Sequence, residues 1–217
     1  MANFRVYHLH GLGSSCEGTK AGEVKRLTEN LGGEFNCITL DYLRKGAYPW
    51  EVLETLKGWV KTDKPFLLIG SSMGAYTWLD FLVNSPEVLS NPNLKRVILI
   101  TPPTTLFDNL QKWNPLYGKE KIFLLYGGEY IEDYKTFIRL MHWDIKHANG
   151  RLLTLAHPKV VSVVAKKDTV VDNTPVYKLK EVAKSLNLYE LDDDHTLHNR
   201  LDELMGILRG EIEKSLQ

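Results

Sequence analysis

Unbroken aliphatic runs separate segments whose apolar residues recur at helical spacing, and this alternation limits the possible folds. Three of the runs are 66–70 (FLLIG), 95–100 (KRVILI) and 159–165 (KVVSVVA). A strand that is apolar along its whole length, rather than at every second residue, is typical of a parallel sheet with both faces covered by helices. The pattern therefore predicts an α/β protein built as a three-layer sandwich.

Other segments complete this alternation. Further strands are predicted at 4–9, 35–40 and 187–191, and helices at 18–31, 49–61, 75–84, 174–186 and 199–216. The stretch 104–158 interrupts the rhythm and is too long for a plain connection. We expect it to form helices over one end of the sheet, as a small lid-like insertion within a single domain spanning 1–217.

Composition excludes several classes of function. The 217 residues include 27 basic and 27 acidic side chains, so no basic excess would attract nucleic acid or an anionic membrane. No apolar stretch reaches the roughly 18 residues of a membrane span, and the amino terminus lacks a signal-peptide pattern. We expect a soluble, cytoplasmic protein whose partner is a small molecule.

Cys16 and Cys37 belong to no CxxC pair and are expected to be reduced.

The segment 70–74 (GSSMG) lies where the run FLLIG gives way to a predicted helix. Strand, sharp turn and helix in that order form the context of a nucleophile elbow, which would expose the hydroxyl of Ser72. The amino end of the helix would favour a negative charge that develops there. The alternative is a glycine- and serine-rich turn without a chemical role; the strand–turn–helix context favours the elbow.

A serine nucleophile requires a base, and the base requires an acid that orients it. In sheets of this type the acid and then the histidine follow the serine along the chain. Asp168 and His195 each come just after a predicted strand, in that order, and we prefer them to Asp172 and His198. The alternatives are predicted to lie at the starts of helices. The acidic run 192–194 is interpreted as solvated.

The loop after the first strand, 9–15 (LHGLGSS), is a candidate for half of an oxyanion hole. Hydrolysis at a carbonyl needs two N–H donors, and the predicted pair are the backbone amides of Leu12 and Met73. His8 and His10 form an HxH pair, but no third metal ligand is evident, so we predict neither metal nor cofactor. We expect His10 to hold the loop through hydrogen bonds.

Several aromatic side chains fall in the irregular middle of the chain. They fit an apolar acyl pocket and ordinary packing beneath a lid equally well. They are Phe107, Trp113, Tyr117 and Trp143.

Taken together, these stretches resemble the α/β-hydrolase superfamily, and within it the small bacterial YqiA-type esterases. The resembling motifs are HLHGLGSSCEGTKA, GSSMGAY, TPPTTLF, KKDTVVD and DDDHTLHNRLDEL. The resemblance implies a minimal, mostly parallel sheet of about six strands and a cofactor-free serine hydrolase. It implies Ser72 as nucleophile, Asp168 as acid and His195 as base. The turns around the last two lack the glycines that are common in relatives.

The sequence thus predicts a carboxylesterase-type serine hydrolase that acts on short to medium acyl esters through an acyl-enzyme. Thioester or lactone hydrolysis by the same residues is an open alternative. A binding module that keeps the fold without catalysis is a second alternative. The physiological substrate and the oligomeric state do not follow from the sequence.

Overall fold

The computed structural model describes residues 3–42, 44–107 and 134–217, together with the backbone of 122–124 and 129–131. The strands are β1 (Arg5–Leu9), β2 (Glu34–Ile38), β3 (Phe66–Ser71), β4 (Leu94–Ile100), β5 (Ile122–Leu124), β6 (Glu129–Ile131), β7 (Val160–Ala165) and β8 (Asn187–Leu191). The helices are α1 (Thr19–Asn30), α2 (Pro49–Trp59), α3 (Met73–Asn84), α4 (Glu87–Ser90), α5 (Tyr134–Thr154), α6 (Thr174–Val182) and α7 (Leu201–Leu216).

Six of the strands form one parallel sheet, in the order β2-β1-β3-β4-β7-β8. The predicted minimal parallel sheet is confirmed. Because all six strands run the same way, the segments that follow β1, β3, β4, β7 and β8 leave from one edge of the sheet. Ligand sites of open α/β sheets lie at this edge.

Alternate residues of the central strands enter different cores, which explains the three layers. Phe66 and Leu68 of β3 belong to an apolar cluster with residues of α2, α3 and α6. Leu67 and Ile69 belong to a second cluster with residues of α1 and α7. A β-strand points successive side chains to opposite faces, so an entirely apolar strand is buried on both sides.

The region 104–158 is partly as expected. α5 occupies much of it, and β5 and β6 form an antiparallel pair. α5 packs against α3, the helix that follows Ser72. Trp113 and Tyr117 lie outside the described residues, and the assignment of this region as a lid within a single domain stays a prediction. Among the residues that the structure describes, no helix has the length and apolarity needed to cross a membrane.

The expectation of two reduced cysteines is wrong. Cys16 and Cys37 form a disulfide between the segment that precedes α1 and strand β2. β1 and β2 are adjacent in the sheet, and His8 of β1 is paired in register with Cys37. The bond therefore ties the loop that leaves β1 to the neighbouring strand. Since disulfides are uncommon in reducing compartments, the cysteine count no longer supports a cytoplasmic location.

Reduction should destabilise the folded protein. Closing a loop between positions 21 residues apart restricts the unfolded chain and should contribute roughly 3 kcal/mol to the free energy of unfolding. We expect dithiothreitol to lower the urea midpoint of the wild type and to leave a Cys16→Ser/Cys37→Ser variant unchanged. Two titratable thiols in untreated, urea-unfolded wild type would contradict the bond.

Candidate active site

Ser72 is the single residue between the end of β3 and the start of α3. Its φ of 52° and ψ of −115° lie in a region that side chains other than glycine rarely adopt. Two backbone hydrogen bonds hold it there: its N–H donates to the Ile100 carbonyl (2.8 Å), and its carbonyl accepts from the Tyr76 N–H (3.0 Å). The sharp strand-to-helix turn predicted for a nucleophile elbow is present.

The glycines around Ser72 are there because backbone lies where a side chain would be. A Cβ added at Gly74 would be 2.1 Å from the Leu9 carbonyl oxygen, and one at Gly70 would be 2.7 Å from atoms of the first turn of α3. The start of α3 thus rests directly on the end of β1. A Cβ added at Gly11, in the loop that follows β1, would lie 3.4 Å from Cβ of Ser72.

Alanine at Gly74 should therefore disrupt the elbow, because the overlap is with backbone that cannot rotate away. We expect Gly74→Ala to lower the free energy of unfolding by at least about 2 kcal/mol, as overpacking does. Gly22→Ala is the matched control: Gly22 is exposed within α1 with nothing near its added Cβ. That change should be neutral or stabilise by up to about 1 kcal/mol. Equal responses of the two variants to urea would contradict the close contact.

The structure brings Ser72, Asp168 and His195 together. Nε2 of His195 lies 2.9 Å from Oγ of Ser72, and Nδ1 lies 2.8 Å from Oδ2 of Asp168. Asp168 follows β7 and His195 follows β8, so three strand ends supply the three side chains. The hydrogen bonds are continuous from carboxylate to imidazole to hydroxyl.

The turn that carries Asp168 fixes its carboxylate without a glycine. The side chain is 0% exposed, and its Oδ1 accepts the N–H groups of Val170 and Val171, each at 2.8 Å. This leaves Oδ2 for the imidazole. The oxygen that orients the histidine is thus fixed in one position.

Asp172 and His198, the alternatives to Asp168 and His195, lie at the starts of helical segments. Oδ1 of Asp172 accepts the Thr174 N–H (3.0 Å) at the start of α6. His198 begins the 3₁₀ turn His198–Arg200 that leads into α7. Both lie at helix starts, as the sequence indicated.

The interpretation of the whole acidic run 192–194 as solvated is wrong for its middle member. Asp193 is buried and accepts hydrogen bonds from the N–H groups of Asn199 and Arg200 and from the Asn199 side chain. These bonds close the turn that carries His195. A carboxylate thus organises this turn.

The loop after β1 is held from the side of β2. Nε2 of His10 accepts the Leu40 N–H (3.0 Å), which leaves Nδ1 to donate to the Gly11 carbonyl (2.7 Å). The Tyr42 hydroxyl donates to the His10 carbonyl (2.7 Å). His10 pins the loop, as predicted. The assignment of the Leu12 and Met73 amides as oxyanion donors stays a prediction.

Two supporting contacts escaped the sequence reasoning. One is the Tyr42 bond to His10, and the other is a bond from Lys20 Nζ of α1 to the carbonyl of Thr196, next to His195 (2.9 Å). Lys20 and Thr196 are 176 positions apart. No local pattern in the sequence indicates such a pair.

His8 is buried in β1. Within the described part of the chain, no three His, Cys, Asp or Glu side chains are grouped so that they could hold a metal ion. The ring of His8 lies 5.8 Å from that of Phe35, and its buried Nδ1 has no hydrogen-bond partner among the described residues. Burial lowers the pKa of His8 to about 3, with smaller contributions from His10 and Lys20.

His8 should make the protein sensitive to acid. It is neutral when folded, whereas in the unfolded chain it gains a proton near pH 6.5, so stability is lost as the pH falls from 6.5 towards 3. We expect the free energy of unfolding to drop between pH 7.5 and 4.5 by roughly 2 to 3 kcal/mol more in wild type than in His8→Leu. Urea titrations at both pH values measure this difference. Parallel pH dependences would contradict it.

Sheet order and elbow place the chain among the α/β hydrolases. The chain belongs to the family described as "Uncharacterised protein family (UPF0227)", whose model matches residues 5–209. This confirms the resemblance to the YqiA-type esterases within the superfamily. Among curated proteins, none matches the sequence.

Solved structures share the fold at low sequence identity. Est1E from Butyrivibrio proteoclasticus is 12% identical with a TM-score of 0.77, over 99% of this chain and 89% of its own. The esterase domain of a Rhodothermus marinus protein is 15% identical with a TM-score of 0.66, over 100% and 89%. The thioesterase domain from the curacin biosynthetic pathway is 15% identical with a TM-score of 0.61, over 94% and 90%.

Proposed function

We propose that the protein is a serine hydrolase that cleaves carboxylic esters through an acyl-enzyme on Ser72. The observation that carries this proposal is the continuous hydrogen-bonded chain from Asp168 through His195 to Ser72, with separations of 2.8 and 2.9 Å. A hydroxyl bonded to an imidazole that is itself bonded to a carboxylate is the arrangement that activates a serine as a nucleophile, which supports the proposal.

In the first half-reaction, Nε2 of His195 takes the proton from Ser72 as Oγ attacks the ester carbonyl. The carbonyl π electrons move onto oxygen, and the amides of Met73 and Leu12 stabilise the resulting oxyanion. The tetrahedral intermediate collapses, the bond to the alcohol oxygen breaks, and His195 returns its proton to the leaving alcohol. Water then repeats the sequence on the acyl-enzyme and releases the acid.

Asp168 supports this proton transfer without being protonated itself. By accepting from Nδ1–H, it fixes the tautomer that leaves Nε2 free to accept the serine proton. It also stabilises the imidazolium that forms during attack. Its two backbone donors, Val170 and Val171, and its burial keep the carboxylate in one orientation.

An apolar cluster next to the predicted oxyanion donors supports an apolar acyl group. Its buried members are Tyr42, Met73, Tyr76, Phe107, Phe137 and Leu140, and Leu12 packs against them. Apolar walls with few polar groups are typical of small-molecule sites. Phe107 belongs to this cluster and therefore fits the acyl-pocket interpretation. Trp143 does not belong to it, and its ring packs 5.8 Å from that of Trp50 and 4.4 Å from that of His147. We propose short to medium acyl chains as substrates.

Loss of the serine hydroxyl should abolish covalent labelling and turnover. We expect a fluorophosphonate probe to label wild type but not Ser72→Ala, and kcat for p-nitrophenyl butyrate to fall at least about 10⁴-fold in Ser72→Ala and His195→Ala. Ser71→Ala is the matched control, because Ser71 is buried one residue earlier and its Oγ has no hydrogen-bond partner in the part of the chain that the structure describes. It should keep labelling and turnover.

The same experiment separates the alternatives. A folded wild type that takes no label would favour a binding module over an enzyme. Thioesters and lactones would react at the same serine, and the solved neighbours include both esterase and thioesterase domains, so the fold does not choose between them. Comparing kcat/KM for a butyryl aryl ester, a butyryl thioester and a lactone chooses directly.

A further inference from the structure

A network of buried charges lies behind the candidate site, where α3 meets α5. Arg151 is 0% exposed, and its guanidinium contacts Asp80 of α3 (2.6 Å) and Asp144 of α5 (2.5 Å). Oδ1 of Asp144 also accepts the Tyr76 hydroxyl (2.8 Å), and Arg151 lies 4.4 Å from the centre of the Tyr76 ring. Neither carboxylate is more than 2% exposed.

The network reaches beyond the two helices to the segment that follows β4. Oδ2 of Asp144 accepts the N–H groups of Leu106 (2.9 Å) and Phe107 (3.3 Å). Nε of Arg151 donates to the Thr104 carbonyl (2.8 Å). Three backbone groups of 104–107 are therefore held by two buried side chains of α5.

This segment starts beside the proposed nucleophile. Ile100, the last residue of β4, accepts the Ser72 N–H, and Thr101 follows with a φ of 47°. Further along this segment, the ring of Phe107 is 5.3 Å from that of Phe137, in the apolar cluster that contains Met73. A shift of 104–107 would move one wall of that cluster relative to Ser72.

Stability alone does not explain such a network. Burial of charges costs several kcal/mol per ion before pairing offsets it, and apolar residues of similar volume often stabilise as well. Burial raises the pKa of Asp80 although Arg151 opposes this. Apolar residues, however, could neither accept hydrogen bonds from two backbone amides nor donate one to a carbonyl.

We propose that Asp144, oriented by Arg151, is a positioning residue that fixes 104–107 as a wall of the substrate site and thereby sets which esters are accepted. The proposal rests on the esterase function proposed above. Asp144 touches no reacting atom; it acts through the backbone of Leu106 and Phe107. Its removal should change substrate selectivity while the labelling chemistry at Ser72 persists.

The test compares Asp144→Asn with Asp80→Asn. Each leaves one carboxylate beside Arg151, so the electrostatic change is matched, but only Asp144→Asn weakens the bonds to Leu106 and Phe107. Selectivity is measured with two series of esters. The p-nitrophenyl esters have acyl groups of increasing length, and the alkyl esters have alcohol groups of increasing length. We expect Asp144→Asn to shift the ratio of kcat/KM between long and short members roughly tenfold, mainly through KM. Asp80→Asn should shift it less than about twofold.

Amide hydrogen exchange tests the same point without relying on turnover. The peptide spanning 101–107 should exchange roughly tenfold faster in Asp144→Asn than in Asp80→Asn, because two amides lose a carboxylate acceptor. If Asp144→Asn does not fold, Phe107→Leu leaves the network in place and should reproduce the selectivity shift.

Equal exchange and equal selectivity in the two aspartate variants would overturn the proposal, as would an unchanged ester profile in Phe107→Leu. Failure of the esterase function has a different signature: folded wild type would neither be labelled nor turn over any ester. In that case faster exchange in Asp144→Asn would support the positioning of 104–107, and unchanged exchange would overturn it.

Discussion

The contact between the start of α3 and the end of β1 is the constraint on which the candidate site depends. It brings backbone to backbone at Gly74, where even a methyl group would overlap the Leu9 carbonyl. With α3 this close, the chain must reverse its direction at a single residue, Ser72, and the positive φ of Ser72 is the consequence. The same contact brings the loop with Gly11 and Leu12 next to the serine. The elbow geometry and the position of the loop after β1 therefore have a common cause.

The site could be read from the sequence because its signals are local. Ser72 lies between a strand and a helix that both have strong apolar patterns, and Asp168 and His195 directly follow strands, so topology alone brings the three to one edge. The central strands β3, β4 and β7 follow from unbroken aliphatic runs. Such patterns can be recognised in a sequence without knowledge of tertiary contacts.

What escaped prediction depends on long-range pairing. The Cys16–Cys37 bond requires β1 and β2 to be neighbours in a given register, which two isolated cysteines do not indicate. Asp193 has the same side chain as its solvated neighbours, and only the turn before α7 buries it. Arg151 and Asp80 are 71 positions apart, and the region 104–158 offers no regular pattern that would place α5 against α3.

The described structure uses buried carboxylates in two ways. At the site, Asp168 is held by backbone amides so that one oxygen is free to orient an imidazole. Behind it, Asp144 holds backbone amides so that a segment near the nucleophile has one position. In both places a buried carboxylate is stabilised by N–H donors, and its value is in the geometry it imposes rather than in stability.

The central claim is that Ser72 carries the acyl group during turnover. Rapid acid quench of the protein with p-nitrophenyl butyrate, followed by digestion and mass spectrometry, measures this directly. The account predicts a butyryl mass increase on the peptide that contains Ser72, formed in a burst and absent from Ser72→Ala. Turnover with no acylated peptide, or with the acyl group on another residue, would contradict it.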